Sequence, residues 1–414
     1  MKTQDKKRFF RMISPMLVAA LAIQLLIPIG SLAQTDSGRI SGTVRDQAKA
    51  VIQGASITIK NERTGEERTV TSNDQGSYLV SNLKPSTYSV RVSVQGFSTS
   101  EIIGLNVLVG DTQTADVEVK PSGTSESVTI VAAEGAMLET DSATMGANVN
   151  SREVQALPFN GRQLSQLYLQ APGSLNSGSG TFGDIRFSGR AVEQNAIRYD
   201  GVEGSAIIDA APGNLNGEIA SPFRLQASLE NVQEFRVDSN SYPAEYGTGT
   251  GGQVNVVTKS GGNSFHGSVF EYLRNDKLDA RNWFDRDFKN PLRLNQFGAS
   301  IGGPIVKDRL FFFASYEGYR LRSGINIVEG VPKLSRCSSA VPAVRPLCEG
   351  AFLGAGGTRT VTNPLTSPDF DIGQLAASNP VNENSVAVRF DFRANEKNTF
   401  YVRYFRDQGD NDQP

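Results

Sequence analysis

The side chains that most often do chemistry are scarce here. The 414-residue chain has one histidine, His266, and two cysteines, Cys337 and Cys348. A Ser-His-Asp or Cys-His relay needs a histidine set against a nucleophile, and a histidine-based zinc centre needs more than one ring. His266 heads a β-rich run, where it reads as a plain sheet residue. Carboxylates are plentiful, at 43 Asp and Glu, but no spacing sets one against another. Asn73-Asp74-Gln75-Gly76 lacks the alternating acidic ligands and distant glutamate of a calcium loop, so it reads as a turn. The residues predict no enzyme, no cofactor and no metal.

Two further groups need a reading. Gly247, Gly249, Gly251 and Gly252 could suggest a phosphate-binding loop. Such a loop must open a helix whose N-terminus meets phosphate. These glycines lead instead into Val254-Asn255-Val256-Val257, a strand-forming run. They are read as letting the backbone turn and pack closely. Cys337 and Cys348 stand with ten residues between them in a Pro/Ser/Gly-rich stretch. In an exported chain they predict a local disulfide; two unbonded thiols are the alternative. Lys and Arg number 41 against 43 acidic residues, a balance that argues against nucleic acid as a partner.

Export itself is legible at the start. Lys2, Lys6, Lys7, Arg8 and Arg11 precede an apolar stretch from Ile13 to Ile29, and Ser31-Leu32-Ala33 supplies the small residues of a cleavage site. Residues 1–33 are expected to be a signal peptide cut after Ala33. The leader carries five positive charges and one negative, so its loss would take the formal charge from −2 to about −6. No other stretch is long and apolar enough for a membrane helix.

The elements fall into three zones. Residues 37–120 alternate short strands with turns, as an all-β sandwich does. Expected strands are Arg39–Arg45, Ser56–Asn61, Glu67–Ser72, Ser77–Val80, Tyr88–Val94 and Gln113–Val119. Tyr88, Val90, Val92 and Val94 alternate with Ser89, Arg91 and Ser93, which assigns one face to a core. Gly42-Thr43-Val44, Gly54-Ala55, Asp74-Gln75-Gly76-Ser77-Tyr78, Tyr88-Ser89-Val90 and Gly96-Phe97 resemble the carboxypeptidase regulatory-like domain. That family has a transthyretin-like sandwich classed with carbohydrate-binding-like folds. Its common Pro-Gly pair before the tyrosine is replaced here by Pro85-Ser86. No peptidase activity is expected.

A linker, 121–133, carries Ser127-Val128-Thr129-Ile130-Val131-Ala132. It reads as a connecting strand. In position it resembles a TonB box, which would couple through Val128, Thr129, Ile130, Val131 and Ala132 by adding a strand to a partner sheet. The second zone, 134–262, mixes short strands with a short helix at Asn160–Leu169, where Leu164, Leu167 and Tyr168 share a face. Asp200-Gly201 is read as a turn. Glu230–Val237, Ala244-Glu245-Tyr246-Gly247 and Gly251-Gly252-Gln253-Val254-Asn255-Val256-Val257-Thr258-Lys259 occur in the order found in the plug domain of TonB-dependent receptors, and resemble it.

The third zone, 263–414, predicts about five long strands: Phe265–Asn275, Leu294–Ile305, Arg309–Arg320, Ser385–Arg393 and Thr399–Asp407. Some 60 residues of loop separate the third from the fourth. Strands of this length, joined by alternately short and long connections, suit a transmembrane barrel. Val386, Val388, Phe390 and Phe392 would face lipid, with Arg389, Asp391 and Arg393 inside. Phe297, Ala299 and Ile301 would likewise oppose Gln296, Gly298 and Ser300. Leu310, Phe312, Ala314 and Tyr316 would face out only if Phe311 and Phe313 point in. Gly303–Phe312 resembles the early barrel of the receptors that carry this sandwich. Five strands cannot close, because an open sheet in lipid leaves backbone groups unpaired, and the receptors resembled close with 22 strands. A fragment is therefore expected.

The expected fold is mainly β: a transthyretin-like sandwich, an α+β plug and the first strands of an incomplete barrel. The resemblance implies an outer-membrane receptor importing a glycan, peptide or siderophore by TonB-energised movement of the plug. Its partners would be the periplasmic domain of TonB, outer-membrane lipid and an extracellular ligand. Plug-apex candidates are Ser177, Gly178, Ser179, Thr181, Phe182, Asn214 and Asn216. The competing expectation is a barrel-anchored adhesion or assembly protein with the sandwich as its binding module.

Overall fold

A computed structural model describes residues 37–122, 127–131, 144–157, 162, 164–176, 185–191, 194–203, 228–242, 246, 249–280, 289, 291–332, 337–338, 341–346, 359–361, 370–395 and 398–411. The described residues belong to one compact unit. The leader and its cleavage point after Ala33 lie outside the described residues.

The first strands are β1 (Gly38–Asp46), β2 (Ser56–Asn61), β3 (Glu67–Thr71), β4 (Ser77–Leu83), β5 (Ser86–Ser93), β6 (Thr99–Val107), β7 (Thr112–Thr114), β8 (Val117–Val119) and β9 (Ser127–Val131). They form two sheets. One has the order β4-β1-β7, with β8 also on β1; the other runs β3-β2-β5-β6-β9. A single apolar core takes Ile40 and Val44 from the first sheet and Ile57, Ile59, Val90 and Val92 from the second. Each such residue is worth about 1.5–3 kcal/mol when fully buried. Tyr88, Val90 and Val92 are buried while Arg91 is exposed, as the alternation predicts. Asn73 closes the turn before β4, its side chain accepting from the Gln75 and Ser77 amides.

Two expectations change here. Thr99–Val107, not among the expected strands, is the nine-residue β6. Its polar positions and Gly104 hide an alternation in which Ile102, Leu105 and Val107 are buried. Gln113–Val119 is two strands rather than one, broken where Asp116 turns its carboxylate onto the Thr43 amide.

The middle elements are β10 (Met145–Val149), α1 (Ser151–Ala156), α2 (Leu164–Leu167), β11 (Ser174–Asn176), β12 (Ile185–Phe187), β13 (Ala196–Tyr199), β14 (Val202–Glu203), β15 (Val232–Asn240) and β16 (Gln253–Thr258). The middle sheet has the order β10-β15-β16-β13-β14. Asn150 caps α1 in a capping box with Glu153, which places Val154 in the core. The short helix expected at Asn160–Leu169 is present as α2 followed by a 3-10 turn. Leu164, Leu167 and Tyr168 are buried, with Tyr168 edge-on to Phe235 at 5.5 Å. Gly252 shows why glycine precedes β16: a Cβ there would lie 2.2 Å from the Phe187 ring.

The last strands are β17 (His266–Asn275), β18 (Leu292–Val306), β19 (Leu310–Pro332), β20 (Arg359–Val361), β21 (Phe370–Arg393) and β22 (Thr399–Asn411). They form a sheet in the order β17-β18-β19-β21-β20, with β22 also on β21. Alternation sorts its faces: Phe390 and Phe392 are exposed, and Arg389 and Asp391 are buried. Phe311 and Phe313 do point inward, at 4% and 2% exposure. The 60-residue loop is corrected. The β19–β21 ladder continues unbroken from Leu310↔Phe392 to Pro332↔Phe370. Gly324, Gly330, Pro332, Gly373 and Pro380 read as turn residues in sequence, yet all are paired in this ladder. At about 3.4 Å per residue the hairpin far exceeds the length needed to cross a bilayer.

Candidate functional site

The inner face of the long-stranded sheet meets the middle sheet along a polar seam. Its centre is Asp200. Asp200 and Gly201 both adopt left-handed backbone, φ 47° and 78°, in the turn joining β13 to β14. Two such residues make the tight hairpin for which Asp-Gly is favoured. The turn leaves the Asp200 carboxylate against β16, where it accepts from the Thr258 amide at 2.8 Å and the Thr258 hydroxyl at 2.6 Å. From the long-stranded sheet, Arg389 Nη1 approaches it at 3.2 Å and Arg403 Nη1 at 2.6 Å. Tyr401 donates to the Asp200 carbonyl at 3.1 Å.

Arg389 is shared. Its Nε and Nη2 hold Asp391 in a two-pronged contact at 2.9 and 3.0 Å, and its guanidinium lies 4.7 Å from the Tyr401 ring centre. Two arginines and two aspartates thus pair with one another, with Arg389, Asp200 and Asp391 buried. Such pairs cost desolvation, and removing one partner is far more damaging than the pair is stabilising.

A second anchor surrounds Glu230. It accepts from Arg162 at 3.1 Å and from Ser268 of β17 at 2.7 Å, with Lys259 Nζ 3.6 Å away. Arg162 lies over two rings of β17, Phe270 at 4.7 Å and Tyr272 at 4.4 Å. Glu317 of β19 accepts from Ser228 and Gln296, and Ser315 donates to Asn231. The middle sheet is therefore held by hydrogen bonds and ion pairs, which can break and re-form one at a time.

A third set of contacts joins the sandwich to the same sheet. Asn61 accepts from the Arg63 and Thr64 amides and fixes the turn after β2. Arg63 then donates to Gln233 at 3.3 Å and to the Ser260 hydroxyl at 3.0 Å. Gln233 donates to the Pro85 carbonyl at 2.9 Å. The Val109 amide donates to Glu234 at 2.6 Å. Burial pushes the Glu234 carboxyl up to about 8, against the opposing pull of the Val109 amide and Arg63, with Asp111 adding to the rise. Lys84 reaches Asp391 at 3.3 Å.

The expected site residues fare unevenly. Val128, Thr129, Ile130 and Val131 lie in β9, which pairs in parallel with β6 from Thr99↔Ser127 to Ile103↔Val131; Ala132 lies outside the described residues. So do Ser177, Gly178, Ser179, Thr181, Phe182, Asn214 and Asn216. Cys337 is buried and disulfide-bonded, while Cys348 is outside the described residues. His266 is exposed in β17, with Nδ1 3.1 Å from the Ser264 carbonyl. Among the described residues no group of acidic, histidine or cysteine side chains could hold a metal, and no helix is long and apolar enough to cross a membrane. Asp200, Glu230, Arg63 and Glu234 carry the geometry, but sequence gave none of them a site role. Asp200 gave a signal through its Asp-Gly turn, and Glu230 and Glu234 through the run Glu230–Val237.

Residues 39–120 match the carboxypeptidase regulatory-like domain, and residues 257–414 match an outer membrane beta barrel domain. The TonB-dependent transporter Oar of Myxococcus xanthus is 31% identical over 303 residues, which cover 69% of this chain and 27% of that protein. The chain thus spans about a quarter of the length of that transporter. The solved siderophore receptor PirA from Acinetobacter baumannii is similar over 64% of this chain and 32% of its own, at 17% identity and a TM-score of 0.40. A ferric enterobactin receptor from Pseudomonas aeruginosa is similar over 66% and 34%, at 15% identity and a TM-score of 0.40. With its regulatory-like sandwich, its barrel match and its transporter relative, the chain belongs to the TonB-dependent receptors of the outer membrane.

Proposed function

We propose that this protein imports an extracellular ligand through the outer membrane, with the middle sheet as a plug that a TonB-type partner displaces. The observation that carries this reading is the seam at Asp200. A permanent core would be apolar, whereas this contact is ionic and hydrogen-bonded. A plug must be tight at rest and removable without exposing a large apolar surface to the lumen, and polar contacts meet both needs. Domain boundaries at 134–262 for the plug and 263–414 for the barrel belong to the same proposal. So does a Cys337–Cys348 bridge in the outer loops.

In this mechanism, β9 and Ala132 are the coupling segment. An extended strand offers main-chain donors and acceptors to a partner's sheet edge, largely independent of side chains. Pulling on it would draw on β10, fourteen residues beyond, and so on the middle sheet. The ligand class stays open among glycans, peptides and siderophores.

The test is a pull-down of the full-length gene product with the periplasmic domain of TonB. Wild type is expected to bind, and a Val128→Pro/Ile130→Pro variant to lose binding, because proline removes main-chain donors. Absence of binding by the wild type would overturn transport and favour a barrel-anchored adhesion protein.

A further inference from the structure

The sandwich touches every part that a transport cycle would move, and it does so by contacts unlike those that hold it together. Its apolar core and that of the middle sheet are separate: among the described residues neither takes a side chain from the other. What joins them is a short set of polar links: Arg63 to Gln233 and Ser260, Pro85 to Gln233, and Val109 to Glu234. Two more reach the barrel sheet. The Asn263 amide donates to the Arg63 carbonyl at 2.9 Å while its side chain donates to Asp308 at 2.6 Å, and Lys84 pairs with Asp391. Interfaces of this polar kind belong to domains that separate.

The same domain also holds β9. The strand lies at the end of the sheet β3-β2-β5-β6-β9, annealed in parallel to β6 over five registered pairs. One side of its main chain is therefore already engaged within this molecule. β15, which receives Gln233 and Glu234, is also the direct partner of β10, the first strand after the linker. Both ends of the segment that would transmit a pull are thus held by one module.

We propose that the sandwich is a resting-state clamp, which parks the coupling strand on the edge of its own sheet and pins β15 through Arg63 and the Val109 amide. This rests on reading 127–131 as the coupling strand. Capture of that engaged edge by the partner then requires β9 to peel from β6, and movement of the middle sheet requires the sandwich to undock. Because the links are polar and the cores separate, undocking opens neither core.

The experiment is a reversible lock in the full-length protein in outer membranes. Glu101 and Thr129 are registered partners, and Glu101 lies on the solvent side, paired with Arg91. A Glu101→Cys/Thr129→Cys variant should form a disulfide at rest, mapped by mass spectrometry beside the native cysteines. The oxidised form should bind the periplasmic TonB fragment at least tenfold more weakly than the same sample after reduction. Arg63→Ala should bind more tightly than wild type and speed amide exchange in β15. Failure of the cysteine pair to link overturns the clamp. So does equal binding by the oxidised and reduced forms. A synthetic peptide spanning 125–135 separates the underlying reading. If peptide, oxidised and reduced forms all fail to bind, 127–131 is not the coupling strand and the clamp falls with it. If the peptide binds and the lock has no effect, only the clamp is lost.

Discussion

Arg389 of the barrel sheet and Asp200 of the middle sheet meet at 3.2 Å, 189 residues apart in sequence. Both are buried, and Arg403 closes on the same carboxylate oxygen at 2.6 Å. Asp200→Asn would leave Arg389 with Asp391 alone and take from Arg403 the carboxylate it closes on. A loss of about 3–5 kcal/mol in local stability is expected. The measurement is permeability of outer membranes to an antibiotic too large for ordinary porins. The variant should leak, and Asp200→Asn combined with Arg389→Gln should leak less than the sum of the singles. Additive leakage would mean that the two residues do not act together.

Glu234 supplies a pH dependence with a definite sign. Its carboxyl rises from 4.5 to about 8 on burial in the docked state. The docked state therefore holds a proton that the undocked state gives up. That contribution is fully present below about 4.5 and is lost as pH climbs through about 8. The groups facing Glu234 are the Val109 amide, Arg63 and Asp111. Amide protection in β15 and β6, corrected for the intrinsic rise of exchange with pH, should be weaker at pH 8.5 than at pH 6, and Glu234→Gln should flatten the difference. A wild-type profile with the opposite slope would refute this assignment.

Gly252 tests how closely the middle sheet is packed. A Cβ at this position would lie 2.2 Å from one atom of the Phe187 ring and 2.7 Å or less from two more. Gly252→Ala is expected to cost about 1–3 kcal/mol, as overpacking does. Phe187→Leu in the same chain should recover part of the loss. Gly54 has no neighbour within 4 Å of such an atom. Its φ of +70° still leaves Gly54→Ala strained, but by backbone alone, so a change at residue 187 should not relieve it. Urea unfolding of the two pairs separates steric from conformational cost.

What sequence revealed and what it hid follow from the range of each interaction. The sandwich strands and barrel alternation are local patterns of period two, so Val90, Val92, Phe390 and Arg389 fell on their proper faces. β6 was missed because Gly104 and its polar neighbours dilute that pattern. The far part of the β19–β21 hairpin was missed because Gly324, Gly330, Pro332, Gly373 and Pro380 read as turn residues in sequence. The seam was hidden for a different reason. Asp200, Thr258, Arg389 and Arg403 come together only after three separate segments fold, and nothing in the neighbourhood of any one of them announces the others. Asp200-Gly201 was legible as a turn, but not as the place where the turn would aim a carboxylate.

The outer face gives the last expectation. Phe390 is 45% exposed, between the buried Arg389 and Asp391. Its paired neighbours Phe312 and Val402 continue an apolar row across three strands. In a bilayer this row faces hydrocarbon, where an arginine costs about 2–4 kcal/mol near the midplane and little at the interface. Phe390→Arg should reduce the heat-resistant membrane-inserted fraction of the full-length protein. Asn384→Arg, six residues further along the same strand in its polar half, should not. Cost for Phe390→Arg no greater than for Asn384→Arg would place this face away from lipid. The inward Arg389 would then need another explanation, since its burial against Asp200 presumes a sheet with hydrocarbon on one side and the middle sheet on the other.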